Sequence, residues 1–367
     1  MKVPLLDLNA QYEQIMPEIR VEIDKVLSSH QYILGSAVRD FESAVQQYLG
    51  VRHAIGCASG TDALQLALMS LGIGAGDEVI TTPFTFFATA STIHRVGAKP
   101  VFVDIDSSTF NLDPALIEAA ITDRTRAIMP VHLFGQPAAM KQIMGIAERH
   151  GLKVIEDNAQ GIGAKYDGVF AGGIGDIGTL SFFPSKNLGA MGDGGMCLTN
   201  CDDLAGKLRQ LRVHGENPRY FHKWVGLNSR LDSIQAAVLN VKLKYLDGWS
   251  AGRRRNADIY SRLLSDVPNI RLPFISSDVT TIFNQYTIVC ERRDELLAYL
   301  QEHDIGCAIY YPLSLHLQEC FAYLGGKVGD CPVSESMSQQ VLSLPIYGEL
   351  RYEQIEYVAQ TIKEFYK

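Results

Sequence analysis

The residues best placed to do chemistry lie in Thr179-Leu180-Ser181-Phe182-Phe183-Pro184-Ser185-Lys186-Asn187-Leu188-Gly189, followed by Gly192-Asp193-Gly194-Gly195. An apolar run ends at Pro184, and Lys186 then sits among small residues and glycines that cannot cover it. A lysine whose pKa is lowered by desolvation or by neighbouring positive charge is a nucleophilic amine, able to attack a carbonyl and form a Schiff base. Taken alone, the loop fits a solvated surface lysine equally well. Upstream, Val154-Ile155-Glu156-Asp157 reads as an apolar strand delivering a carboxylate at its C-terminal end. A lysine amine paired with an acid for a pyridinium nitrogen is what a pyridoxal phosphate site requires. In that role Asp157 keeps the ring nitrogen protonated, so the ring withdraws electrons from a substrate carbanion. Its alternative role is a turn cap after the strand.

A frame that could hold both groups is visible in the pattern. Short apolar strands are expected at 53–57, 78–81, 100–103, 127–131 and 153–156, with helical patterns between them at 62–71, 87–96, 114–120 and 138–150. Strands alternating with helices imply crossover units and a mainly parallel sheet flanked by helices. Ligands in such sheets gather beyond the C-terminal ends of the strands. Earlier, helices are expected from about 11 to 29 and from 38 to 48. Past the lysine loop the pattern predicts a strand at 196–199 and a helix at 202–213. An irregular aromatic and basic segment, 214–228, leads to long helices at 231–245 and 248–264. Beyond Pro268 the texture changes to strands at 287–290 and 307–310 and helices at 294–303 and 352–366. We therefore expect a large domain, 1–250, and a smaller C-terminal α+β domain, 251–367, divided at the Asp247-Gly248 turn.

Two turns after strands supply further candidates. Ala58-Ser59-Gly60-Thr61-Asp62 opens a helix, and the amides of a helix N-terminus attract phosphate. Gly60 allows close backbone approach, Thr61 adds a hydroxyl, and Ser181 offers another five residues before Lys186. An ordinary helix cap explains the same turn. In Thr82-Pro83-Phe84-Thr85-Phe86-Phe87, one aromatic is suited to stack on a flat ring, a contact worth about 0.5–1.5 kcal/mol. Phe86 is the choice, with Phe87 as the core residue. Gln160, three residues past Asp157, has a donor for a phenolic oxygen.

Composition narrows the class. The chain has 367 residues, 47% hydrophobic and 20% charged, which suits a globular protein with one large domain and a companion. A formal charge of −8 argues against nucleic-acid binding. Seven cysteines without metal-ligand spacing are expected to be free thiols in a reducing compartment, with no metal site. The N-terminus lacks a signal-peptide apolar core, and no run of apolar residues is long enough to span a bilayer. A cytoplasmic location follows as the expectation.

The ordered set GTDAL (60–64), TFFATA (85–90), EDNAQ (156–160), SFFPSKNLG (181–189), GDGG (192–195) and GLNSRLDSIQAA (226–237) resembles the DegT/StrS family of pyridoxal-phosphate-dependent nucleotide-sugar aminotransferases. PLLDL (4–8), QYILG (31–35), YYPLSLHLQ (310–318) and LSLPIY (342–347) extend the resemblance over the whole length. It implies the aspartate-aminotransferase-like α/β architecture known as fold type I. It also implies that Lys186 carries the Schiff base, Asp157 meets the ring nitrogen and Gln160 the phenolic oxygen. Phe86 stacks on the ring, and Gly60, Thr61 and Ser181 hold the phosphate. Asn228 is expected to reach that phosphate from a second subunit, making the enzyme a homodimer with shared sites. Arg230, Tyr311 and His316 fall in substrate-side motifs. The implied reaction moves an amino group, from glutamate as in the family, to a nucleotide-linked keto sugar. The texture is nearest to enzymes that aminate C3 of UDP-linked 3-keto-N-acetylglucuronic acid, with dTDP-3-keto-6-deoxyhexose or 4-keto acceptors as alternatives. A branch that performs dehydration replaces the lysine with histidine, so Lys186 argues against it. A cofactor-binding regulator without turnover is the competing class. His214, Arg219, Tyr220 and His222 lie on the irregular segment, a candidate lid, without assigned roles.

Overall fold

The computed structural model describes residues 1–367. Seven strands form the main sheet: β1 (His53–Cys57), β2 (Glu78–Thr81), β3 (Lys99–Phe102), β4 (Thr125–Met129), β5 (Lys153–Asp157), β6 (Ile177–Ser181) and β7 (Gly195–Thr199). Their spatial order is β1-β7-β6-β5-β4-β2-β3. The five strands from β6 to β3 run parallel, while β7 is antiparallel to both β6 and β1. The parallel centre follows from the crossover helices, and the antiparallel edge from the return of the lysine loop into β7.

Alternation along the strands sorts the core into two layers. Ile55, Val79, Ala127, Ile155 and Cys197 face one side, where they meet α3 (Gly60–Ser70), α4 (Ala88–Arg95) and α7 (Asp202–Leu211). Their neighbours Ala54, Ile80, Ile128, Val154 and Leu198 face the other side. There they meet α2 (Ser36–Leu49), α6 (Met140–His150) and α8 (Ser233–Leu243). Strands buried on both faces read as continuous apolar runs, which is why their positions were visible in the sequence. The first helix, α1 (Leu8–Ser29), is capped by Asp7 and packs Ile15 and Ile19 on Val238 and Val241 of α8. A single turn, α5 (Pro114–Ile117), continues as a 3-10 turn through Ala120.

A second core gathers α9 (Leu246–Leu264), α10 (Arg293–Glu302) and α12 (Tyr352–Phe365) around a three-stranded antiparallel sheet, β8 (Ile270–Arg271), β9 (Tyr286–Cys290) and β10 (Val341–Leu344). A further helix, α11 (Pro332–Gln340), leads into β10. Three features differ from the sequence expectation. The turn between the long helices is at Lys244-Tyr245, and α9 runs through Gly248 and residue 250 without a break. It links the cores, with Leu246 in the large one and Ala257, Tyr260 and Leu264 in the small one. The expected strand at 307–310 contributes only an Ala308–Ser343 bridge; the strand beside β9 is β10. Val3 belongs to the small core, joined to Ile305 by a parallel bridge, so that core draws on both ends of the chain. No helix is long and apolar enough to cross a membrane.

Candidate active site

The carboxyl ends of β2, β5 and β6 and the N-terminus of α3 open onto one cavity of about 650 Å³. Its wall includes Gly60, Thr61, Phe86, Asp157, Gln160, Ser181, Lys186 and Tyr311, bringing eight of the eleven candidates together. Residues 309–315 close the side toward the small core.

Asp157 ends β5 as a buried carboxylate. The Thr89 hydroxyl donates to its Oδ2 at 2.8 Å, and the Ala159 N–H to Oδ1 at 3.2 Å. Burial pushes its pKa above the ordinary carboxylate value, opposed by these two donors, by Lys186 and by His132. Lys186 shows the complementary effect. Burial lowers its amine from 10.5 to about 8, while the Asp157 charge pulls it back upward. A larger fraction of neutral, nucleophilic amine is therefore present near neutral pH than for a solvated lysine. It is the one cation among the lining side chains, against the carboxylates of Asp157 and Asp193.

Behind Asp157 stands a fully buried pair, His132 and Glu156. The Ala138 N–H donates to His132 Nδ1 at 3.0 Å, which puts the proton on Nε2, 2.9 Å from Glu156 Oε2. Glu156 also accepts from the N–H groups of Gly172, Ile174 and Gly175 at 2.7–2.8 Å. Burial opposes its charge, yet His132 and these amides hold Glu156 below the usual carboxylate value. Four donors thus fix the turn from which Asp157 projects.

The turn before α3 has the shape of an anion cup. Ser59 caps the helix by accepting from the Asp62 N–H at 3.1 Å, while the first-turn N–H groups have no intrahelical partner. A Cβ on Gly60 would lie 2.7 Å from the Ser181 Cβ, so only glycine lets the two walls approach. A Cβ on Gly195 would come within 2.2 Å of the Ser59 backbone, which explains the last glycine of the GDGG run. On the opposite wall Phe86 is 58% exposed in the cavity. Phe87 is 43% exposed and packs on Phe321, whereas the buried aromatic of this turn is Phe84. Gln160 accepts from the Phe134 N–H at 2.7 Å and donates to the Tyr311 hydroxyl at 3.1 Å, leaving one amide hydrogen for a ligand.

Three candidates lie outside this cavity. His316 is 4% exposed and pairs through Nε2 with Glu335 at 3.0 Å, a packing contact rather than a substrate-facing one. Asn228 and Arg230 flank Ser229, which is buried and accepts from the Ala58 N–H at 3.1 Å. Asn228 is exposed, and neither neighbour lines the cavity. Among the unassigned residues, Arg219 lies over the Tyr220 ring and His222 bonds the His214 carbonyl, all outside the cavity. Thr89, His132, Asp193 and Gln285 also lie in or beside the site without standing out in the sequence. Thr89 had a signal in its four-residue spacing from Thr85, to which its hydroxyl is bonded.

Residues 13–363 match the DegT/DnrJ/EryC1/StrS aminotransferase family. A Geobacillus stearothermophilus protein named pleiotropic regulatory protein is 53% identical, covering 100% of this chain and 99% of that protein. The UDP-N-acetyl-3-dehydro-alpha-D-glucosamine 3-aminotransferase of Acidithiobacillus ferrooxidans is 48% identical, covering 98% of this chain and 97% of that one. The crystal structure of DesV from S. venezuelae superposes with a TM-score of 0.97 at 42% identity, covering 100% of this chain and 99% of that one. Lys186, the buried Asp157 and the Gly60–Thr61 turn share one cavity, and with a family match over nearly the whole length the chain belongs to the DegT/DnrJ/EryC1/StrS aminotransferase family.

Proposed function

We propose that the protein uses pyridoxal 5′-phosphate to move an amino group from an amino acid, glutamate foremost, to the C3 ketone of a nucleotide-linked sugar. The observation that carries this is the placement of Lys186 and Asp157 on one cavity, with the Gly60–Thr61 turn and Ser181 at its edge. The donor set fits the cofactor: backbone N–H groups and hydroxyls for a phosphate, a carboxylate for a cationic nitrogen, an exposed aromatic for a ring face. When bound, the group supplies an electrophilic carbonyl and an electron-withdrawing ring.

The chain's own residues do the rest. Gly60, Thr61 and Ser181 would hold the phosphate, Phe86 a ring face, and Gln160 the phenolic oxygen. Asp157, whose burial disfavours its charge, gains most from a cation beside it. Thr89 and Ala159 fix the direction of that carboxylate. Lys186, once free, accepts and returns the proton at the amino-bearing carbon, a task suited to an amine titrating near 8.

The ligands also imply partners. A cofactor phosphate, a sugar-nucleotide pyrophosphate and an amino-acid carboxylate are all anionic, while the cavity wall of one subunit holds a single cation. We assign the missing contacts to Asn228 and Arg230 of the partner subunit, in a homodimer with two shared sites. The Acidithiobacillus relative's name favours a UDP-linked N-acetylated 3-keto sugar as acceptor. The Geobacillus relative's name belongs to that protein, and the full set of reactive groups here favours turnover over regulation alone. We place the protein in a reducing, cytoplasmic setting, a reading supported by seven scattered cysteines without metal-ligand spacing.

The test begins with purified holoenzyme. Glutamate should shift the visible band, borohydride should fix the cofactor to Lys186, and Lys186→Ala should still take up cofactor while transamination stops. UDP- and dTDP-linked 3-keto and 4-keto sugars then identify the acceptor. Fixation to another lysine, such as Lys165, would overturn the assignment.

A further inference from the structure

Residues 282–285 lead from the large core into β9 and are fastened to the lysine loop. Asn187, next to Lys186, donates to the Ile282 carbonyl at 3.2 Å and accepts from Asn284 Nδ2 at 2.7 Å. Arg253 Nη1 donates to the carbonyls of Phe283 and Asn284 at 2.9 and 3.2 Å. Against the other side lies Gly135, where a Cβ would come within 2.8 Å of Ile282 and 2.9 Å of the Asn284 nitrogen. The segment has little freedom. It ends in Gln285, which lines the cavity and whose side-chain Oε1 is buried without a hydrogen-bond partner. A buried acceptor left unpaired destabilises the fold, so this amide gains by turning toward any ligand that offers a donor. Being uncharged, with one accepting and one donating end, it matches a hydroxyl or amide better than a carboxylate.

We infer that Gln285 is a specificity residue that hydrogen-bonds a hydroxyl or acetamido group of the sugar acceptor, an inference that rests on the acceptor class proposed above. The amino-acid donor offers carboxylates, which call for a cation, and so depends on Gln285 little. The asparagine pair beneath it sets the position of the amide without touching the ligand.

The experiment compares wild-type holoenzyme with Gln285→Met, of similar length, and with Gln285→Ala. Loss of a hydrogen bond in a desolvated site is expected to raise the sugar KM about tenfold or more. The amino-acid KM and the spectral shift with glutamate should stay within about twofold of wild type, because the donor does not use this amide. Gln285→Met should melt no lower than wild type, since it removes an unpaired buried acceptor. A structural residue would instead lower the melting temperature and weaken both half-reactions together. A sugar KM within about twofold of wild type, or a donor KM rising in step with it, overturns the inference. If wild-type enzyme shows no spectral shift with glutamate, the proposed function itself falls. The two failures are therefore distinguishable.

Discussion

Lys186 and Asp157 each carry a charge that burial disfavours, and each partly relieves the other. The consequence for stability has a definite sign. The folded-state amine titrates near 8 and the unfolded one near 10.5. Below 8 both are charged and the fold bears the full penalty; the penalty fades as pH rises toward 10.5. In cofactor-free protein, Lys186→Met should therefore raise the melting temperature at pH 7, with the advantage shrinking between pH 8 and 10.5. A flat difference across that window would show that the amine is not desolvated. These two residues were legible because each stands apart, a lone lysine among glycines and a carboxylate ending an apolar run. Thr89 falls within the TFFATA run, but its task is hidden in the sequence because its partner Asp157 is 68 positions away. His316 misled for the opposite reason. Its motif lines the cavity at Tyr310–Leu313, but the 3-10 turn Leu315–Leu317 rotates the imidazole toward Glu335.

At the level of elements, the end of β5 is held from two sides. His132, just after β4, and the loop amides before β6 all converge on Glu156. Glu156→Gln sets an amide NH2 among donors that need an acceptor. We expect a stability loss of about 1–3 kcal/mol for each donor left unpaired, seen as a lower denaturant midpoint. An unchanged midpoint would mean that water or loop movement satisfies those amides. The strands of the main sheet were readable because burial on both faces demands unbroken apolar runs. The junction of α8 and α9 was not. Gly248 suggested a turn, but a single helical glycine costs only about 1 kcal/mol, and packing between two cores outweighs it. The strand β10 escaped because its four residues, Val341–Leu344, follow α11 with no turn signal between them.

At the scale of the whole molecule, part of the apolar surface stays uncovered. Tyr220, Phe221 and Val225 are 73%, 69% and 92% exposed, on the same segment that leads to Asn228. If that face meets a second copy, each site combines Lys186 of one chain with Asn228 of the other. Mixing equal amounts of Lys186→Ala and Asn228→Asp subunits then makes half of the dimers mixed, each with one intact site. Activity should recover to roughly a quarter of wild type. Should both residues serve one chain's site, every site in the mixed dimer carries a lesion and nothing recovers. Each parent must first be shown to be inactive, and the subunits to exchange. Neither the exposure of that segment nor that of Asn228 beside the buried Ser229 could be read from composition.

Val3 lies in the small core, its N–H on the Asp304 carbonyl at 2.9 Å and its own carbonyl accepting from Gly306 at 2.8 Å. During synthesis the third residue therefore waits for about three hundred more before its partners exist. At the ordinary pace of a ribosome that is about 15–60 s. The main sheet waits as well, since β1 pairs with β7 alone. The Asn187–Asn284 bond adds a third delay, for the loop holding Lys186 is fastened only after residue 284 has emerged. The surroundings of Lys186 are thus completed late in synthesis, by a residue far along the chain.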